Sequence, residues 1–320
     1  MLRSIDQFIK NNYSTCKGTT KNAHLQENRA KVYAQVRFCC LIQKNVVPLP
    51  RKCKLKIIHY STIMKYTYHL TIPYQDVDAS RRIRLYTLEN YLLNVAGKTA
   101  DQMGIGIPTL LPMNYTWIIT HLNLEMLYLP KHNEEIIVET WIERNAHMLS
   151  VRDFRIYQSQ QDGSKQLIGC AKTVWAVLDL TTREIVNIFD HEMFDGSVDG
   201  EVLNMARAAR LRPIQLDNLE DDTEALQAGE VLHEIQYSDV DYNRHCNSCK
   251  YLEWMVNALQ AFDNQKPFRL DINYVKELYQ GDKMWTRFLK TNHAVQYQQV
   301  DENGTTCCSA KISEIKNVSC

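Results

Sequence analysis

Two stretches of this chain, 163 residues apart, open on nearly the same phrase. "YQDVDASRRIRLYTLENYL" runs from Tyr74 to Leu92, and "YSDVDYNRHCNSCKYLEWM" runs from Tyr237 to Met255. At that offset Tyr74 meets Tyr237, Asp76 meets Asp239, Val77 meets Val240, Asp78 meets Asp241 and Arg81 meets Arg244. A duplicated unit constrains the fold strongly, because the structure that suits one copy must nearly suit the other.

Each copy reads as a strand, a helix and then more strands. In the first, "KYTYHLTIPY" alternates, and "TLENYLLNVAGKTADQMG" sets Leu88, Leu92, Val95 and Ala96 at helical spacing with Gly104 as a stop. "TWIITHLNLEML", "EEIIVETWIERN", "LSVRDFRIYQ" and "LIGCAKTVWAVLDL" follow as strands, and Thr181 to Glu184 turn the chain into "IVNI". The second copy opens at "VLHEIQYSD" and predicts a helix from about Ser248 to Phe262. Its strands are "FRLDINYVKEL", "DKMWTRFLKT", "AVQYQQV" and "TCCSAKISEI", the last two joined by the turn "DENG". The pattern predicts an α+β chain of two units, residues 64–190 and 230–320, each a long helix against an antiparallel sheet. Residues 191–229, with the acidic "LEDDTEALQAGE" and a short helix expected around Asn204 to Arg210, are long for a loop and should cross from one unit to the other.

At 320 residues, 45% hydrophobic and 23% charged, the profile is that of a soluble globular protein. No run of about 18 apolar residues predicts a membrane helix, and the N-terminus lacks the apolar stretch of a secretory signal. The ten cysteines include no paired C-x-x-C motifs at zinc-ribbon spacing, so no metal is expected and most thiols should be free in a reducing compartment. The formal net charge of zero hides an asymmetry, since residues 1–63 carry 12 Lys/Arg against 2 Asp/Glu. That basic extension reads as a targeting segment, a nucleic-acid or membrane arm, or dispensable sequence ahead of a start at Met64, and no function is placed on it.

The second copy carries the chemistry. If the segment is extended, Asp239, Asp241, Asn243 and His245 line one side and bring a carboxylate, an amide and an imidazole together. Asn247 or Ser248 can cap the following helix, whose first-turn N–H groups at Asn247, Ser248 and Cys249 would suit an oxyanion. The plainer alternative is that these are caps and turn formers. Against it, the first copy has Ser80 and Arg82 where the second has Asn243 and His245. A capping role should survive duplication, whereas a chemical role needs keeping only once.

Asp241, Asn243, His245, Lys250, Tyr251, Trp254 and Glu277 fall in the order of a known motif, Asp-x-Asn-x-His followed by a helix and a strand bearing Glu. With it, "YSDVDYNRHCNSCKYLEWM" and "LDINYVKELYQGD" resemble the C-terminal half of the acyl-acyl-carrier-protein thioesterases, of plant plastid and bacterial type. The first half is similar too, through its Trp-bearing strands and the pair Arg152 and Asp153. The resemblance covers roughly residues 66 to 316. It implies a tandem hotdog, with the N-terminal hotdog shaping an acyl pocket and the C-terminal one carrying the catalytic network. Some plant members have a Cys directly after the Glu; this chain has Leu278, which leaves a Cys/His mechanism unsupported there.

From the resemblance, Asp241, Asn243, His245 and Glu277 are the expected catalytic set, with Asp241 and Glu277 both open as the base acting on water or as a nucleophile attacking the carbonyl directly. Cys246 as a nucleophile is a weaker alternative. Tyr91, Met103, Trp117, Met126 and Leu127 are candidates for the acyl-pocket wall, and ordinary core is the alternative for each. The expected partner is an acyl carrier protein, with no cofactor, no nucleic acid, no stable membrane insertion and a homodimer left open. An acidic carrier would need a local basic patch, drawn from Arg207, Arg210, Arg212, Lys250 or Lys276, because residues 64–320 carry a net charge of −10. Acyl-CoA hydrolysis, a hotdog hydratase and a non-catalytic acyl-binding module are the alternative functions. The expected location is the plastid stroma for a plant protein and the cytoplasm for a bacterial one.

Overall fold

The computed structural model describes residues 65–194, 200–206, 211–216 and 226–320. The basic extension lies outside the described residues. So does most of the helix expected after Asn204, and Asn204 to Ala206 themselves are irregular.

Among the described residues ten strands form one antiparallel sheet: β1 (Tyr66–Thr71), β2 (Tyr115–Met126), β3 (Glu135–Ala146), β4 (Leu149–Ser159), β5 (Lys165–Asp179), β6 (Gln227–Glu234), β7 (Phe268–Tyr274), β8 (Lys283–Lys290), β9 (Ala294–Asp301) and β10 (Thr306–Glu314). Their order is β1-β3-β4-β5-β2-β7-β10-β9-β8-β6, so the two copies mirror one another about the β2–β7 seam. Helix α1 (Leu85–Met103) follows β1 and helix α2 (Ser248–Ala258) follows β6, which reproduces the duplicated strand-helix-strands plan.

At the seam His121 pairs with Asn273 and Met126 with Phe268. Leu122, Leu124, Met126, Phe268, Leu270 and Ile272 are all buried and join Leu88, Leu92 and Val95 of α1 with Leu252 and Met255 of α2 in one apolar core. Each such side chain contributes roughly 1.5–3 kcal/mol when fully buried. The shared core locks the two halves together.

The helices differ in length, and the second ends at Ala258, short of the Phe262 expected from the sequence. α1 runs 19 residues to Gly104, whose left-handed φ of 76° closes it in a glycine cap. α2 stops after 11 residues, where Leu259 turns extended and its carbonyl accepts the Tyr297 hydroxyl of β9 at 2.5 Å. Tertiary pairing ends α2 before its apolar pattern does.

The opposite face of the seam is polar and buried. Arg269 reaches Glu125 and Asp271, each at 2.8 Å, and Asn123 donates to Asp271 at 2.5 Å. The C-terminal tail covers this cluster, with Ser319 Oγ donating to Glu125 at 2.6 Å and Cys320 disulfide-bonded to Cys170 of β5. That bond corrects the free-thiol expectation for two cysteines, while Cys246, Cys249, Cys307 and Cys308 are free and buried.

Candidate active site

The segment from Asp239 to His245 is a closed turn, not an extended run, so its four polar residues do not share a face. Tyr237–Asp239 form a 3-10 turn, Val240 bridges to Cys246, and Arg244 takes a φ of 64°. Asp241 Oδ1 builds the turn by accepting the N–H groups of Asn243 at 2.8 Å and His245 at 3.3 Å. The first copy is the same device: Asp78 Oδ1 accepts the N–H groups of Ser80 at 2.8 Å and Arg82 at 3.2 Å, and Arg81 has a φ of 64°. Asp239 caps its own 3-10 turn by accepting the Gln236 N–H at 2.9 Å.

The copies diverge at the second carboxylate oxygen. Asp78 Oδ2 is taken by the Asn264 side chain at 2.8 Å. Asp241 Oδ2 has no hydrogen-bond partner among the described residues. One copy is sealed where the other is open.

The turn is laid against the loop that leaves β7 by a hydrogen bond from Cys246 N–H to Leu278 O, 2.7 Å long. Residue 245 therefore stands beside residue 277. His245 Nδ1 lies 3.3 Å from Glu277 Oε1, and the Tyr279 ring meets the imidazole edge-on at 5.0 Å. Glu277 Oε2 is gripped by Arg183, from the turn after β5 in the other half. Glu277 is thus a clamped carboxylate, and Arg183 is a functional candidate that sequence reasoning treated only as part of a turn. Asn243 joins the group through its backbone N–H on Asp241.

Of the three N–H groups expected to form an oxyanion cradle, two are already occupied. Asn247 N–H donates to Asp239 O at 2.8 Å, and Cys249 N–H donates to the Asn247 cap at 3.0 Å. Ser248 N–H at the start of α2 is the remaining donor. Cys246 is a poor nucleophile, since burial, with Asp239 adding to it, pushes its thiol far above the range where it ionises.

The five pocket candidates do not form one wall. Met126 and Tyr91 belong to the seam core, where Tyr91 also donates to Asp76 at 2.5 Å. Met103 and Trp117 belong to a second apolar cluster with Ile105, Leu110, Val177 and Phe194, and Trp117 Nε1 donates to Ile105 O at 2.8 Å. Leu127 N–H closes onto Ile168 O at 2.8 Å.

Arg152 and Asp153 are adjacent on β4 and so face opposite sides of the sheet. Asp153 faces Lys172 at 3.6 Å, and burial pushes its carboxyl upward. Arg152 is 5% exposed, donates to Thr140 Oγ1 at 3.4 Å and has no ion pair among the described residues. Burial lowers its guanidinium to about 10.

Of the basic residues expected for docking, two are paired and Arg212 is exposed. Lys250 is bridged to Glu253 at 2.9 Å and Lys276 to Asp301 at 2.5 Å, while Arg207 and Arg210 lie outside the described residues.

Residues 63–195 match the Acyl-ACP thioesterase N-terminal domain, and residues 223–315 match the Acyl-ACP thioesterase C-terminal domain. A palmitoyl-acyl carrier protein thioesterase, chloroplastic, of Arabidopsis thaliana is 22% identical over 63% of this chain and 49% of its own length. An oleoyl-acyl carrier protein thioesterase, chloroplastic, of Coriandrum sativum is 21% identical over 58% of this chain and 51% of its own. The chain thus spans about half the length of the curated relatives it matches. Among solved structures, an acyl-ACP thioesterase from Bacteroides thetaiotaomicron superposes with a TM-score of 0.63 at 26% identity, over 78% of this chain and 97% of that one. A 12:0-ACP thioesterase from Umbellularia californica shares the fold with a TM-score of 0.61 at 15% identity, over 78% of this chain and 96% of that one.

Proposed function

The chain belongs to the acyl-ACP thioesterase family, and on that premise we propose that it hydrolyses the thioester of a fatty acyl-acyl carrier protein, releasing free fatty acid and ending fatty-acid synthesis. The observation that carries the proposal is the 3.3 Å approach of His245 Nδ1 to Glu277 Oε1 beside the turn built by Asp241. In this reading the fold is a tandem hotdog whose first half holds the acyl chain and whose second half does the chemistry.

Glu277 is the base. It takes a proton from water as the water oxygen attacks the thioester carbonyl, and the C–S bond then breaks to release the thiolate. Asp241 is less suited to that task, because one of its oxygens is committed to the turn backbone. Its open second oxygen and the Asn243 amide orient the water and polarise the carbonyl. The Ser248 N–H, at the positive end of α2, faces the developing oxyanion. His245 aligns Glu277 and accepts its proton as the site resets.

A second reading, acyl-CoA hydrolysis, draws support from the pairing of Lys250 with Glu253 and of Lys276 with Asp301, which makes those two lysines less available to an acidic carrier. The chloroplastic relatives support a plastid stroma for a plant source, and the cytoplasm is the counterpart for a bacterial one. A homodimer is not required, because both halves of the site stand in one chain.

The deciding experiment offers acyl carrier protein and CoA thioesters of graded length to the full chain and follows thiol release. Turnover that collapses in Glu277→Gln and His245→Ala but survives Cys246→Ala supports the site. Turnover indifferent to Glu277 and His245 would sink it.

A further inference from the structure

The carboxylate of Glu277 is held from two sides that come from different halves of the chain. His245 lies on one oxygen, 3.3 Å away, and Arg183 grips the other. Arg183 is exposed, but its backbone is fixed. It sits in the turn after β5 at a φ of 61°, a left-handed conformation that a non-glycine side chain adopts only when its surroundings impose it.

Those surroundings are on the page. Asp179 Oδ1 accepts the N–H groups of Thr181 at 2.7 Å and Thr182 at 3.1 Å. Asp179 O accepts the Arg183 N–H at 2.9 Å, and Ile185 bridges back to Leu178. Leu180 N–H is also tied to Asn114 O at 2.9 Å. The turn is a fixed mount for one long side chain, and the ion pair of that side chain is with Glu277.

We propose that Arg183 is a positioning residue for the reaction, reaching across from the first half to orient Glu277 so that Oε1 faces His245 and the attacking water. The inference rests on the thioesterase reading for its chemistry. A glutamate on a loop has several rotamers, and a single imidazole contact at 3.3 Å leaves most of them open. A guanidinium on the second oxygen removes that freedom, because a charge-assisted contact there fixes the carboxylate at both oxygens together with His245. The first half would then complete the site as well as shape the acyl pocket.

The test uses Arg183→Met and Arg183→Lys in the full chain, assayed on acyl carrier protein thioesters and on a small acyl thioester that has no carrier protein. Arg183→Met should lower kcat about ten- to a hundredfold on both substrates, the scale expected when a reacting group is misplaced by about 1 Å. KM should change less than about twofold, and Arg183→Lys should recover a substantial part of the loss. A crystal structure of Arg183→Met should show Glu277 swung out of hydrogen-bond reach of His245.

An unchanged kcat would overturn the proposal. So would a loss confined to KM for the carrier-protein substrate, which would make Arg183 a docking contact. If the wild-type chain hydrolyses no thioester, the functional reading fails on its own. The crystal structure then still decides the positioning claim, and an undisturbed His245–Glu277 contact in Arg183→Met would refute it.

Discussion

Tyr274, on the seam strand of the second half, donates its phenol to Glu89 in α1, the helix of the first half. Glu89 is fully buried, its other oxygen has no partner among the described residues, and burial pushes its carboxyl up from the ordinary 4.5 to about 7. The direction matters for stability. Between about 4.5 and about 7 the folded chain keeps a proton that the unfolded chain has lost, so stability is full below that window and falls as pH rises through it. The loss amounts to roughly 3 kcal/mol by pH 8. Glu89→Gln should flatten this slope, which urea denaturation at pH 5 and pH 8 would measure. Identical slopes in the two proteins would contradict the assignment.

Asp78 and Asp241 build the same turn, and that symmetry supplies an internal control. Either residue changed to Ala loses two hydrogen bonds to backbone N–H groups, which should cost about 1–2 kcal/mol, and Asp78→Ala loses two more, from Ser80 Oγ and the Asn264 side chain, so it should be the more destabilised of the two. Only Asp241→Ala should also lower kcat by tenfold or more, because only its second oxygen is open. Equal kcat values for the two variants at a temperature where both are folded would make Asp241 purely structural.

Much of this plan was legible in advance, and the failures have physical causes. The strand-like runs of the sequence correspond to the ten strands of the described residues, most of which set one face on the buried core, whereas β6 buries none of its residues. The closed turn at Asp239 to His245 was misread as extended, because an Asp that bonds backbone two and four residues ahead looks, in sequence, like any alternating polar residue. Glu277 was found only through a resemblance. Nothing in "YVKELYQGD" distinguishes a clamped carboxylate from a surface one until His245 and Arg183 arrive from elsewhere. The early end of α2 at Leu259 depends on Tyr297, which is 38 residues further on.

The Cys170–Cys320 bond closes a loop of 150 residues and pins the tail over Glu125 and Arg269. A link that long restricts the unfolded chain strongly, so reduction should cost roughly 2–5 kcal/mol. The thermal midpoint should fall on adding dithiothreitol and in Cys320→Ser, and the reductant should do nothing further to Cys320→Ser. A reductant effect that persists in that variant would place the relevant bond elsewhere.

Arg152 brings a charged group onto the inner face of the first half's sheet, where it is buried. Along β3 the inner face runs Val138, Thr140, Ile142, the first in the seam core and the last in the second apolar cluster. Thr99 on α1 lies between Val95 and Ala100 in the same way. Arg152 therefore sits in a polar band separating two apolar regions, as a buried cation with no ion pair among the described residues. Burying such a charge is costly, and Met fills a similar volume without the charge, so Arg152→Met should raise stability by about 1–3 kcal/mol. On the proposed reading the first half holds the acyl chain, and such a band would end its pocket, because methylenes gain nothing by lying against a desolvated guanidinium. The same variant should therefore accept longer acyl chains, each added methylene being worth about 0.8 kcal/mol once the charge is gone. Denaturation and a chain-length series on one preparation test both halves. A destabilised Arg152→Met with unchanged length preference would mean that the guanidinium is held by the fold for packing alone.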